Sequence, residues 1–312
     1  MTIHCFTSAS FSYLDRARVL AHTVRRFHPD WTFWLCLSDA EPVGFSFRLQ
    51  DEPFDRVVRV EELGIQNPPA WIFRHDVVEL CTAVKGPMLE RHAVVLTPHV
   101  VSPEPTTMGV LDNEIGSLKH GVYNLGFLAV RPCAEGSRFA AWWRERLLEF
   151  CFDDVPNGLF TDQRWCDLAP AMFGDVAVLR DRGYNVASWN LGDRPIGIHQ
   201  DGTITAGDRP LRFFHFTKVN SVGERMLERY AGDRNEVFEL LRWYRAALQA
   251  ERAEGLPDGW WAYGRYADGT PVRREERLAW RARPDVWTRV GNPFLSAPAS
   301  LREAVGLPPL TA

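Results

Sequence analysis

The sequence predicts an α/β protein: a mainly parallel, Rossmann-like sheet flanked by helices, with a helical and aromatic extension after it. Three observations carry this. Short apolar runs rich in β-branched and aromatic residues alternate with amphipathic stretches of helical period through the first two thirds of the 312 residues, and alternating strands and helices build a doubly wound sheet. A full strand–helix–strand unit fits into the first forty residues, the nucleus of parallel pairing. Polar side chains collect where apolar runs stop, the rim at which such sheets bind ligands.

Ile3 to Thr7 reads as the first strand, closed by the small residues Ser8, Ala9 and Ser10. Leu14, Ala17, Val19, Leu20, Val24 and Phe27 then recur at helical spacing, and His28-Pro29-Asp30 ends that helix. Thr32 to Leu37 is a second buried strand and Arg56 to Val60 a third. Between Ile72 and Glu90, Val77, Leu80, Cys81, Val84 and Met88 mark a helix that Gly86-Pro87 should kink or end early. Ala93 to Leu96 is a strand, Ser102 to Met108 a Pro-rich loop, and Val122 to Val130 a further strand before the helix Ser137 to Phe150. Val176 to Leu179 and Leu211 to Phe216 complete the sheet, with the strands from Ile3, Thr32, Val94 and Val122 expected in one sheet. After Ser221 the character changes, which sets domains at 1–220 and 221–312. The second holds a helix from Asn235 to Ala253, an aromatic hairpin over Trp260 to Gly269 turning at Asp268-Gly269, and a Pro-rich wrapping tail from Pro293.

Composition excludes several classes. A formal charge of −4, with basic residues spread along the chain, gives no nucleic-acid footprint. Six cysteines without C-x-x-C spacing fit buried free thiols rather than zinc or a disulfide framework. No apolar run approaches the roughly 18 residues of a membrane span, and the chain enters a strand at Ile3 without a signal-like segment. A reduced cytoplasmic protein with no transmembrane segment is the expectation. No G-x-G-x-x-G follows the first strand, and neither a P-loop nor G-x-S-x-G is present, so dinucleotide, P-loop and α/β-hydrolase chemistry lose their main sequence support.

Three blocks stand out. In Tyr123-Asn124-Leu125-Gly126-Phe127, a buried Asn must find partners or cost about 1–3 kcal/mol, and Gly126 permits close approach of a ligand or of neighbouring chain. In Phe160-Thr161-Asp162-Gln163, Thr161 or Asp162 is placed to cap the next helix. In Phe213-Phe214-His215-Phe216-Thr217-Lys218, an imidazole and an ammonium three residues on suit a metal ion or a diphosphate. Each block alone also has a structural reading: a satisfied Asn, a packing Gly, a cap, a core histidine.

In their order and spacing these blocks resemble GT-A-fold nucleotide-sugar glycosyltransferases, close to the retaining family that includes glycogenin and the lipopolysaccharide galactosyltransferases. The resemblance runs from Ile3 to about Asn220 and less closely through Tyr263-Gly264-Arg265. It implies that Thr7, Ser8, Ala9, Ser10 and Tyr13 cradle the nucleoside and that Asn124 and Gly126 contact the donor sugar. It further implies that Asp162 and Gln163 lie at the anomeric carbon, and that His215 and Lys218 reach the metal and diphosphate, all in one pocket. Implied partners are a nucleotide diphosphate sugar and a glycan or small acceptor, with Mn²⁺ or Mg²⁺ as cofactor and retention of anomeric configuration.

One departure is large. The family's D-x-D metal motif is missing, and Leu96-Thr97-Pro98-His99 is the comparable segment, with Thr and His where carboxylates belong. It reads either as that motif altered or as the family's next strand, with the D-x-D strand deleted; the short span from Glu90 to Ala93 favours deletion. His215 is then the one metal ligand carried over. Asp39, Asp112 and Glu114 are substitute carboxylates to check, and Lys218 and Arg74 are cations that would neutralise a diphosphate directly. The rival expectation is a catalytically weak or inactive nucleotide-sugar binder or partner subunit. Trp260, Trp261 and Tyr263 are candidates for acceptor surface or for packing of the C-terminal segment.

Overall fold

A computed structural model describes residues 3–88, 94–131, 133–219 and 221–309. The chain divides into two compact units, residues 1–88 with 248–312, and residues 89–247.

In the first unit, β1 (His4–Ala9), β2 (Thr32–Leu37) and β3 (Arg56–Arg59) form a parallel sheet in that order. The helix Leu14–Phe27 makes the β1–β2 crossover. Phe33, Leu35 and Leu37 alternate along β2 into a core shared with Phe11, Leu14, Ala17 and Ala21; burial of each large side chain stabilises by about 1.5–3 kcal/mol. The helix expected from Ile72 is in pieces. Asp76 caps Val77–Ala83, its Oδ1 accepting from the Val78 and Glu79 amides while Glu79 accepts from the Asp76 amide. A separate turn, Lys85–Met88, follows. Pro87 has no N–H to offer the Ala83 carbonyl four residues back, and Ala83 is where the first piece ends.

Residues 248–312 complete this unit. The expected turn is present: the Tyr266 amide donates to the Thr270 carbonyl and the Gly269 amide to the Tyr266 carbonyl around Asp268-Gly269. Three helices follow, Arg274–Arg281, Pro284–Val290 and Pro298–Ala304, so the expected wrapping tail is partly helical. Tyr266, Trp280, Val286, Leu301 and Val305 pack with Ala70 and Phe73 in one core, and the Trp280 indole N–H donates to the Ala70 carbonyl at 3.0 Å. A boundary near residue 220 therefore does not describe these units, because the C-terminal segment shares its core with residues before 89.

In the second unit, β4 (Val95–Pro98) pairs antiparallel with β5 (Tyr123–Ala129). A hairpin of β6 (Asp153–Asp154) and β7 (Leu159–Phe160) follows, and β8 (Ala177–Val178) runs parallel to β4. The helix Ala134–Phe150 buries Phe139, Trp143 and Leu147. β9 (Ile196–Ile198), β10 (Ile204–Ala206) and β11 (Arg209–Pro210) form a small antiparallel meander. The single sheet expected to hold the strands from Ile3, Thr32, Val94 and Val122 is not what the hydrogen-bonded ladders of the described residues form: β1 and β2 pair with β3, and β4 and β5 with β8. Leu211 to Phe216 is not a strand either. Its amides donate to the carbonyls of Ile204, Gly183 and Val186, and an isolated bridge joins Val186 and Phe214. The chain is thus an α/β protein with a parallel three-stranded sheet, and among the described residues no helix is long and apolar enough to cross a membrane.

Candidate functional site

β5 enters the second unit's core through Tyr123, Asn124 and Leu125. Its pairing with β4 slips between Leu96 and Pro98. At that bulge the buried Thr97 hydroxyl lies 2.9 Å from the Asn124 carbonyl and 3.0 Å from that of Phe127, so its one proton is shared between two backbone acceptors of β5 beside the slip.

The Asn124 amide is the centre of a polar cluster. Its Oδ1 accepts from the Gly126 amide at 2.8 Å and from His215 Nδ1 at 3.0 Å. Its Nδ2 donates to His99 Nε2 at 3.1 Å and to Gln163 Oε1 at 3.3 Å. A backbone N–H can only donate, so Gly126 fixes which end of the amide is oxygen. That fixes both rings: His215 carries a proton on Nδ1, and His99 accepts at Nε2 while its Nδ1 donates to the Val122 carbonyl at 3.2 Å. A proton added to His99 Nε2 would face the Asn124 NH₂. Burial, the larger influence, pulls His99 down to about 4. All four hydrogen-bonding positions of Asn124 are filled from within the protein, so its amide orders its neighbours rather than reaching outward.

Gly126 has no room for a side chain: a Cβ there would lie 2.2 Å from His215 Nδ1 and 2.7 Å from Asn124 Oδ1. The close approach that the sequence suggested is made by the His215 ring. Trp189 packs edge-on at 5.4 Å against His215 and 5.4 Å from His99, and its indole N–H donates to the His99 carbonyl. Asn190 Nδ2 donates to the same carbonyl at 3.1 Å. Gln163 Nε2 donates to the His120 carbonyl at 3.3 Å. Thr161 is held at φ +42°, a left-handed conformation that is costly for a β-branched residue and recurs at functional sites. Its hydroxyl donates to Asp162 Oδ1 at 3.1 Å, and Asp162 is buried. Asp162 occupies the N-cap position of the short helix Gln163–Cys166 but makes no side-chain capping bond, unlike the expectation.

The structure therefore gathers Asn124, Gly126, Gln163 and His215 and seats Asp162 beside them in sequence. His99, Thr97, Trp189 and Asn190 belong to the same cluster and are missing from the sequence-derived set. Lys218 is exposed, at φ +44°, and its carbonyl accepts from the amides of Ser221 and Gly223 at the start of the helix Val222–Ala231.

Thr7, Ser8, Ala9 and Tyr13 belong to the first unit. Thr7 is half-buried on β1, the Ser8 hydroxyl donates to the Cys81 carbonyl at 2.5 Å, and Ala9 lies in the hydrophobic core. Arg16 stacks its guanidinium 4.8 Å from the Tyr13 ring. Arg74 is also in this unit, buried, with its guanidinium 5.0 Å from the Trp287 ring; it packs the core rather than offering charge to a diphosphate.

The described residues do not fit a bound divalent cation. Among the described residues, no three His, Cys, Asp or Glu side chains come together as a ligand set. Asp112 accepts from Arg229 and from the Tyr230 hydroxyl, which hold its carboxyl below the usual range. Glu114 accepts from the Glu104 amide at 2.7 Å. Asp39, in the first unit, is pushed up to about 7 by burial, although the amides of Phe11, Ala40 and Ala262 all donate to it and favour its charge. His215 Nδ1 is committed to Asn124. Glu90 and His92 lie outside the described residues.

Two Bacillus subtilis (strain 168) proteins are similar to part of the chain. Uncharacterized protein YfnF is 34% identical over 107 residues, 33% of this chain and 35% of that protein. Uncharacterized protein YfnD is 31% identical over 107 residues, 34% of each. The chain spans about a third of the length of either relative. No family model matches, and no solved structure matches.

Proposed function

We propose that this chain is a GT-A-type glycosyltransferase that binds a nucleotide diphosphate sugar in the cytoplasm and transfers the sugar to a glycan or small acceptor. What supports the reading is one observation: Gln163 and His215, 39 and 91 residues from Asn124, both bond to its amide. A packing role for any one block does not require the other two to meet. In this reading Asn124 orients, and its neighbours contact the donor. His215, its Nδ1 proton fixed by Asn124, is the ring that the resemblance sets at the diphosphate. Gln163 keeps a second amide N–H for a sugar hydroxyl. Asp162 lies one residue away, where the resemblance sets it near the anomeric carbon. No step runs through a metal ion, because the described residues do not assemble a ligand set for one.

The same lack of ligands favours a second reading, a nucleotide-sugar binder with little or no transfer, since charge stabilisation of the leaving group is often worth several kcal/mol per group. Calorimetric titration with UDP, GDP and their sugars tests the shared part: at least one should bind, equally with and without EDTA. His215→Ala should weaken that binding by more than it weakens folding, with calorimetry and thermal melting read side by side. No binding by any of them overturns both readings. Donor hydrolysis then separates enzyme from binder, and strong Mn²⁺-dependent turnover would overturn the metal-free site.

A further inference from the structure

The first unit holds an open cavity of about 420 Å³, lined by Glu61, Tyr263, Arg265, Tyr266, Asn292 and Phe294 among others. None of these belongs to the Asn124 cluster. We propose that this cavity binds a neutral hexopyranose, as a free glycoside or as one unit of a glycan. The inference does not rest on the transferase reading and stands if the second unit binds no nucleotide.

The walls and the polar groups argue together. Tyr263 and Phe294 place their ring centroids 5.5 Å apart at 40°, two aromatic faces for the C–H face of a sugar ring. Tyr266 is buried, and its hydroxyl donates to Glu276 at 3.0 Å, which makes that wall rigid. The Tyr263 hydroxyl donates to Glu61 Oε1 at 3.0 Å; burial, with Glu61 second, keeps the phenol protonated. Glu61 is exposed, and its Oε2 remains an acceptor. Asn292 Oδ1 accepts from the Phe294 amide at 3.1 Å, so the group this residue can offer as a donor is its NH₂. Arg265 gives one N–H to the Gly269 carbonyl at 3.0 Å and keeps others.

One acceptor and two donors in the same lining match vicinal hydroxyls, each of which donates and accepts. Charge narrows the ligand further. Glu61 and Arg265 offset one another's pull on a charged group, so the lining carries no net charge to favour an anion or a cation, and a neutral polyol with an apolar face is the chemistry that suits it. The volume lies in the range of small-molecule sites, about 300–1,000 Å³.

Saturation-transfer NMR on the full chain, with methyl glycosides of glucose, galactose, mannose and N-acetylglucosamine, tests this directly. At least one should bind saturably, and glucuronate and glucosamine at least tenfold more weakly. Glu61 and Arg265 are both exposed, so the double variant Glu61→Ala with Arg265→Ala should keep its melting temperature and lose at least tenfold in affinity. Asn292→Asp, which keeps the oxygen that accepts from Phe294 and removes the NH₂, should weaken binding likewise. No saturable binding by any neutral glycoside overturns the proposal, as does preference for a charged sugar or affinity unchanged in both variants.

Discussion

Asn124 shows how one backbone amide sets the chemistry of two rings. Gly126 N–H orients the side-chain oxygen, the oxygen places the His215 proton on Nδ1, and the opposite NH₂ occupies the His99 lone pair. Replacing Asn124 by Asp removes the donor and adds a charge. His99 should then titrate above its ordinary 6.5 instead of near 4, followed by the Hε1 proton resonance in NMR; an unchanged titration would refute the assigned orientation. The wild-type value has a signed effect on stability. A base whose folded pKa is depressed gives stability that is complete above pH 6.5 and is lost as pH falls towards about 4, because the unfolded chain takes the proton first. The loss from His99 is of the order of a few kcal/mol. His99→Asn should flatten the slope between pH 6.5 and 4 in urea melts, a comparison in which other groups, the buried His75 among them, cancel. Gly126→Ala should push His215 off Asn124 and destabilise by about 1–3 kcal/mol, read as a lower denaturation midpoint together with lost nucleotide binding.

At the scale of elements, periodicity carried most of the reading. Leu14 to Phe27, Thr32 to Leu37 and the segment to Phe150 lie where their apolar spacing puts them. Segments whose partners lie far off in sequence were less legible. Leu211 to Phe216 has strand composition, yet it forms an isolated bridge at Phe214 rather than a ladder, which alternation along one segment cannot reveal. His99 was visible as part of an altered metal motif or of the next strand, and not as a partner of Asn124, because that role depends on a bulge that brings Thr97 and His99 against β5. Trp189 and Asn190 did leave a signal, two polar-tipped residues closing an apolar run that follows Asn185. Thr97→Val tests the bulge: the isosteric change removes the hydroxyl proton from the two carbonyls and should cost about 1–3 kcal/mol, measured by denaturant melts, and β5 amides should exchange faster. A loss below about 0.5 kcal/mol would mean that the carbonyls are satisfied without it.

For the whole molecule, the two-unit division decides what a truncation does. A chain ending at residue 247 loses Tyr266, Trp280, Val286, Leu301 and Val305 from the first unit's core. At about 1.5–3 kcal/mol for each large side chain, that exceeds much of the 5–15 kcal/mol by which a domain is stable. Hydrogen exchange of the truncated chain should show protection lost in β1–β3 and kept in β4–β5. Protection kept in all five strands would refute the shared core.

The same division has a temporal side. Residues 89–247 are contiguous, whereas the first unit draws on segments separated by all of them. On a ribosome that releases the chain from its beginning, the second unit has every residue it needs before Trp280 has been made. The first unit must wait with Phe73 uncovered until the helix Arg274–Arg281 emerges. Nascent chains stalled after residue 270 and then after residue 312, with enough added linker to clear the exit tunnel, should resist proteolysis in residues 89–247 at both lengths. Residues 3–88 should resist only at the longer.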